Sequence, residues 1–336
     1  MTKDLMLSYI LPCYNTGPYI RQCIESLYKQ GMDESTFEVI FVNNATEDNS
    51  EEIVFDIKNE HSNLVYIKLD KNICAGGAYN TGLKVARGKY VQFVDSDDYL
   101  KDNVMKGIIE RMSRKNLEML YFNIEVFYDS TILDHEDAIE YNGNFIEPIG
   151  CANGNDFLFK ASEQMEINRI PVPAYRKMFL RDFLITNELY FTHTTIGCDY
   201  LHNVQCLMKA KKVETITGKV YMFRINPNGV TKSRQDSSKI IYALNNYSSS
   251  YRFVENCCSD NRIRSLVTLN LVSLINAYIG AMKYLDRKEK MDVVNNVNDI
   301  QLLKEKSRGF INKMLIRHPG FFLSSHSLFL GLRKIF

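Results

Sequence analysis

Three carboxylates crowd one short stretch of this 336-residue chain: Asp95, Asp97 and Asp98, directly after the apolar run Tyr90-Val91-Gln92-Phe93-Val94. The run reads as a buried strand, bounded by Gly88 before it and by acid after it. Like charges at a strand end repel, and a fold tolerates them best with a counter-charge nearby. In extended geometry Asp95 and Asp97 point the same way, because side chains alternate along a strand. A divalent cation with a preference for oxygen would relieve the repulsion. Held by only one or two carboxylates, it would keep positions open for water and a substrate phosphate. The alternative is that Asp97 or Asp98 caps a helix starting near Tyr99.

The elements that must position this cluster alternate along the first hundred residues. Apolar strands are expected at 5–11, 37–42, 64–69 and 90–94. Helices are expected from Gly17-Pro18 to about Gln30, over 50–60, and over 75–87 closed by Gly88. Such alternation implies a parallel sheet with right-handed crossovers, whose ligands bind beyond the carboxyl ends of the strands. Tyr14-Asn15, Asn43-Asn44 and Asp95-Ser96-Asp97 each follow a strand, so all three should converge on one crevice. Gly76-Gly77, at the head of the third helix, would let backbone approach a ligand closely, and a helix N-terminus favours anionic groups. Further on, the pattern predicts a helix at 103–114, a long strand at 118–128, weak strand character at 131–142 and a helix at 155–164. Pro171-Val172-Pro173 reads as a rigid connector, and 174–179 as a return to the sheet. A helix at 201–210, a strand pair within 213–223 and a turn at Asn226-Pro227-Asn228-Gly229 follow. From about Ser237 the pattern becomes helical.

Bulk properties narrow the class. The formal net charge is +1, which gives no electrostatic argument for nucleic acid, and none is expected as a partner. The eight cysteines form no CxxC pair, which favours buried free thiols in a reducing cytoplasm over zinc or disulfides. No signal peptide is evident before Pro12, and no segment reaches the roughly 18 uninterrupted apolar residues of a membrane span.

Four ordered motifs resemble those of family 2 glycosyltransferases: Pro12-Cys13-Tyr14-Asn15, the loop 43–50, the segment Asn72 to Gly82 and the segment Phe93 to Leu100. These are inverting enzymes that use nucleotide-diphosphate sugars. The resemblance implies the GT-A fold, a Rossmann-like and mostly parallel sheet flanked by helices, here with a C-terminal helical extension. It implies a nucleotide-sugar-binding half at 1–115, an acceptor-binding half at 116–235 and a helical region at 236–336. Pro12, Tyr14, Asn15, Asn43, Asn44, Asn72, Gly77, Asn80, Asp95, Ser96 and Asp97 are then expected to bind the donor, with Asp95 and Asp97 on Mn²⁺ or Mg²⁺. Asp98 is expected to cap the next helix or to order the other two aspartates.

An acceptor hydroxyl must lose its proton as it attacks, which calls for a general base within hydrogen-bond reach. The resemblance assigns that role to Asp199 in Gly197-Cys198-Asp199-Tyr200, with a helix N-cap as the other reading. Cys198 stands where the family commonly has Glu. Asn43-Asn44 stand where it often has paired Asp, a change that weakens guanine and favours uracil, with cytosine as the second base and a plain turn-shaping role as the other reading. Tyr79 stands where it usually has Arg, with Lys84, Arg87 and Arg176 as the candidate replacements. His193 and His202 flank Asp199 and are read chiefly as surface or packing residues.

The expected donor is a UDP-sugar, and the acceptor a glycan or polyprenyl-linked saccharide. The setting implied is cell-surface or capsular polysaccharide synthesis by a cytoplasmic protein. The tail from 312 to 336 mixes apolar residues with Lys313, Arg317, Arg333 and Lys334, which suits either peripheral contact with the inner membrane face or packing within the fold. The competing readings are a sugar nucleotidyltransferase and a nucleotide-sugar-binding module without catalysis.

Overall fold

A computed structural model describes residues 4–128, 131–132, 146–164, 173–194, 196–226, 229, 236–270 and 285–297. The chain divides into two compact units, 1–232 and 233–336.

The first unit is built on one mixed sheet in the order β3-β2-β1-β4-β8-β6-β9-β5, with β7 beside β6. Strands β1 (Leu7–Cys13), β2 (Phe37–Asn43), β3 (Leu64–Lys68) and β4 (Tyr90–Phe93) are mutually parallel, with β1 between β2 and β4. Every residue of β1, β2 and β4 is buried, as expected of strands covered on both faces, whereas β3 at the edge is mostly half-exposed. The crossover helices are α1 (Gly17–Tyr28), α2 (Ser50–Glu60) and α3 (Cys74–Val85). On α1, Pro18 fits the first turn, where its missing N–H is not needed. Ile20, Cys23, Ile24 and Leu27 form the stripe that α1 buries. This is the GT-A arrangement.

After β5 (Tyr99–Leu100) and α4 (Met105–Lys115) the sheet turns mixed. β6 (Met119–Tyr128) pairs with β7 (Thr131–Ile132), and α5 (Gly154–Gln164) follows. β8 (Lys177–Leu180) runs antiparallel to both β4 and β6 and so joins the two halves of the sheet. α6 (Arg181–Thr186), α7 (Cys198–Lys209) and β9 (Val213–Arg224) complete the unit. A buried Glu214 on β9 accepts from Arg111 of α4 at 2.8 Å and also takes Lys115, fixing that helix to the sheet.

Several expectations change here. The strand pair expected at 213–223 is a single strand. Its exposed Thr217-Gly218-Lys219 segment loops out where the β6 register steps from Tyr121–Thr215 to Asn123–Lys219. No helix starts near Tyr99; Tyr99 and Leu100 pair with Met222 and Tyr221 of β9 instead. Cys151 and Cys257 are exposed, so burial does not account for all eight thiols, although all eight are free. Beyond 131–132, the weak strand expected at 131–142 lies outside the described residues, as do Pro171, Val172, Pro227, Asn228 and the tail 298–336.

In the second unit, α8 (Ser237–Cys257) is capped by Asp236, a helix covers 261–270, and α9 (Arg287–Asn296) begins with a capping box between Asp286 and Glu289. Ser237 donates to Asp292 at 2.6 Å, tying α8 to α9. Among the described residues no helix is long and apolar enough to cross a membrane.

Candidate active site

The acidic stretch sits where β4 ends, but it is not extended. Asp98 N–H donates to Asp95 O at 3.1 Å, so the chain turns at once and Asp95 and Asp97 do not share a strand face. Asp98 caps no helix. Its Oδ1 accepts from Arg224 N–H at 2.7 Å, which fastens the turn to the end of β9. Arg224 also donates through Nε to Asp97 O at 2.9 Å, with its guanidinium 4.6 Å from the rings of both Tyr19 and Phe127. Asp97 Oδ2 accepts from Asn226 at 3.1 Å. Asp95 takes the Tyr79 hydroxyl on Oδ1, and its N–H donates to Tyr221 Oη at 3.0 Å.

Burial raises all three carboxyls, and neighbouring charge adds to this at Asp95 and Asp98. Asp95 is pushed up to about 7 by burial first, then by the charges of Asp97 and Asp199, against the pull of the Tyr79 hydrogen bond. Asp97 is raised by burial, and Asp98 well raised by burial and by both neighbours. Asp95 and Asp97 remain half-exposed, whereas Asp98 is buried.

The loops after β1 and β2 are cross-braced. Asn15, at φ 55°, accepts through Oδ1 from Thr46 Oγ1 at 3.0 Å and from Glu47 N–H at 2.9 Å. Asp48, missed in the sequence, accepts from Gly17 N–H at 2.7 Å and from Thr46 and Ser50. Asn43 is buried, accepting from Thr46 N–H at 2.8 Å and donating to Tyr66 at 3.0 Å. Asn44, also buried, donates to Asn72 at 3.1 Å and accepts from Ile73 N–H at 2.9 Å. Asn72 Oδ1 accepts from Cys74 N–H as well, at the mouth of α3. Pro12 lies within β1 opposite Val42, and Tyr14 is 45 % exposed beyond it. Ser96 accepts from Thr16 at 2.9 Å, which links the first loop to the acidic turn.

Asn80 is buried on α3. Its amide donates to Phe191 O at 2.8 Å and accepts from Phe191 N–H at 2.9 Å, clamping a segment 111 positions away. The room left by Gly76 is filled by protein rather than open to a ligand: a Cβ there would lie 1.9 Å from Thr192 O. Gly77 likewise faces Ile73, 2.9 Å from where its Cβ would be. Of the cations considered in place of an arginine at Tyr79, Lys84 is exposed, Arg87 pairs with Glu38 at 2.8 Å, and Arg176 is buried against Asn123 at 3.0 Å. The cation beside the acidic turn is Arg224, which no local sequence pattern marks.

Asp199 is the second residue of α7. The N-cap position is Gly197, at φ 77°, so Asp199 is not the cap. Its Oδ1 accepts from Ala174 N–H at 3.3 Å. Burial raises its carboxyl to about 6, with Lys177 and Ala174 opposing. Lys177 on β8 is buried, and burial brings it down to about 7 against the pull of Asp199. Cys198 is buried. His202 is buried in an aromatic cluster, stacked 3.9 Å from Phe191, and burial lowers it to about 3, so it is neutral. His193 is exposed. Tyr79, which donates to Asp95, packs 5.1 Å from the Phe191 ring, and a Cβ on Gly76 of the same helix would lie 3.1 Å from Cys198 Cβ, so α3 touches both the acidic turn and the start of α7.

The donor set suits a hard divalent cation: Asp95 and Asp97 are half-exposed carboxylates raised chiefly by burial, with Arg224 on the backbone of their turn. Among the described residues no three metal-ligating side chains converge, so substrate and water would complete the coordination.

The glycosyl transferase family 2 model matches residues 8–166. The chain is 28% identical over 228 residues to the uncharacterized glycosyltransferase EpsJ of Bacillus subtilis, covering 68% of this chain and 63% of EpsJ. It is 24% identical to glycosyltransferase GlyG of Streptococcus pneumoniae, over 86% of this chain and 93% of GlyG. Among solved structures, Staphylococcus aureus TarS 1-349 in complex with UDP-GlcNAc superposes with a TM-score of 0.67 at 19% identity, over 87% of this chain and 79% of that one.

Proposed function

We propose that this chain, whose residues 8–166 match the family 2 glycosyltransferase model, transfers a sugar from a UDP-sugar to a hydroxyl of a cell-surface glycan, with inversion. The observation that carries this reading is the way α3 joins two carboxylates: its Tyr79 donates to Asp95, and its Gly76 lies against Cys198, the residue before Asp199. One carboxylate lies on the donor side, at the end of β4. The other lies at the start of α7, where an acceptor would enter.

In the proposed reaction the acceptor oxygen attacks the anomeric carbon from the face opposite the diphosphate. Asp199 takes the hydroxyl proton, the new C–O bond forms, and the bond to the diphosphate oxygen breaks, releasing UDP. A carboxyl near 6 is ionised at neutral pH and still basic enough to accept a proton. Burial of the pair strengthens these interactions relative to water. Asp95 and Asp97 would hold Mn²⁺ or Mg²⁺, which supplies Lewis-acid neutralisation of the leaving diphosphate when bound. Tyr79 orients Asp95, and Arg224 holds the turn that carries Asp97. Pro12, Tyr14, Asn15, Asn43 and Asn44 build the two loops that would receive the nucleoside, and Ser96 ties the first of them to the acidic turn through Thr16. Asn72, Gly77 and Asn80 form the α3 side of the pocket, much of it through contacts within the protein.

The halves 1–115 and 116–235 would serve donor and acceptor respectively. The complex of TarS with UDP-GlcNAc supports uridine. A polyprenyl-linked saccharide at the inner membrane face is the proposed acceptor, and the cationic, apolar tail at 312–336 supports a peripheral station there.

The test is a screen of UDP- and GDP-sugars with manganese, reading the released nucleotide. Release of UDP with sugar transfer is expected. Release of pyrophosphate would instead mark a nucleotidyltransferase, and donor binding without turnover a binding module.

A further inference from the structure

One buried ammonium reaches the candidate base through a single peptide group. Lys177 is 1% exposed, and its Nζ donates to Pro173 O at 2.9 Å. The N–H of that same peptide unit belongs to Ala174, and it donates to Asp199 Oδ1 at 3.3 Å. Ammonium, peptide and carboxylate thus stand in series, with cation and anion at opposite ends of the peptide dipole. A charge on the carbonyl side polarises the N–H and strengthens its hydrogen bond to the carboxylate. Pro173, with φ −62° and ψ 135°, fixes the peptide's plane before the short 3₁₀ turn Ala174–Arg176.

Lys177 Nζ lies 5.0 Å from the Tyr121 ring centroid on β6, with Arg176 beside it in the chain. From α7 it is faced by Asp199, Cys206 and neutral His202. Asp199 is the acidic group among them. A lysine in a strand is costly to bury, and Met178 and Phe179 beside it are the residues expected of this core.

Resting on the glycosyl-transfer reading above, we propose that Lys177 is a positioning residue for the reaction, holding Asp199 oriented and ionised through the Pro173–Ala174 peptide. It touches neither donor nor acceptor.

The full chain carrying Lys177→Met, Lys177→Arg or Asp199→Asn separates this from its neighbours. Transfer is followed as kcat/KM against pH, alongside donor binding and thermal melting. Lys177→Met removes the charge that favours ionised Asp199. The acid limb of kcat/KM should therefore move to higher pH by about one unit or more. Activity should fall about fivefold or more at pH 6 and recover by pH 8.5, with donor affinity unchanged. Lys177→Arg should keep the limb near its original position. A Lys177→Met enzyme weakened equally at every pH, with an unmoved limb, overturns the proposal. Should Lys177→Met fail to melt cooperatively, Lys177→Gln takes the same readout, and failure of both to fold also overturns it, since Lys177 would then serve the fold alone. Near-normal transfer by Asp199→Asn would sink the reading of the base itself. Loss of transfer in Asp199→Asn with an unmoved limb in Lys177→Met sinks only the role of Lys177.

Discussion

Asn80 offers a quantitative test of how the site is held. Its amide makes two buried hydrogen bonds, at 2.8 and 2.9 Å, to the backbone of Phe191, and both residues are nearly inaccessible. Asn80→Ala leaves the Phe191 N–H and C=O without partners. An orphaned buried polar group costs about 1–3 kcal/mol, so the pair should cost about 2–6 kcal/mol. In a unit of this size the melting temperature should drop by roughly 10 °C. Asn80→Asp keeps the acceptor and loses the donor, so it should fall between Ala and wild type. Chemical denaturation followed by circular dichroism gives the free energy, and calorimetric titration with UDP gives donor affinity. Stability should fall in both variants while UDP affinity changes little. A variant that melts with the wild type but no longer binds UDP would refute this reasoning and make the Asn80 amide a donor contact.

Asp97→Asn should abolish turnover with the fold intact, and UDP should bind far better with manganese or magnesium than with chelator. Metal-independent binding together with unchanged turnover would count against the cation. His202 makes stability depend on pH. Its folded value near 3 lies below the unfolded value of about 6.5, so the unfolded chain binds the extra proton and stability is lost as pH falls through that window. His202→Phe, which preserves the stack on Phe191, should lose about 2 kcal/mol less than wild type between pH 7 and 5 in urea titrations. Equal losses in both proteins would mean that His202 is not held neutral.

The first hundred residues were the most legible part of the chain. There the strand–helix alternation is strict, and the buried strands read as uninterrupted apolar runs. The convergence of loops also followed from topology, because parallel strands present their carboxyl ends together. What sequence reasoning missed depends on long-range closure. The acidic run looked extended, but Arg224, 126 positions after Asp98, holds it as a turn. The Gly76-Gly77 pair looked like room for a ligand, yet Thr192 fills part of it. Lys177 sits in the run Lys-Met-Phe-Leu and gives no local hint that α7 will bring a carboxylate toward it. The strand β9 looked like a pair because its exposed Thr217-Gly218-Lys219 segment has the composition of a turn.

The most direct measurement is donor binding and sugar transfer by Asp199→Asn. Its hydrogen bond is to Ala174 and not to the acidic turn, so donor and cation affinity should change far less than turnover. Loss of the proton acceptor should lower turnover by about 10²–10⁴-fold or more. Near-normal transfer by Asp199→Asn would contradict the account, and Asp156, Glu163 and His193 would then be the bases to substitute.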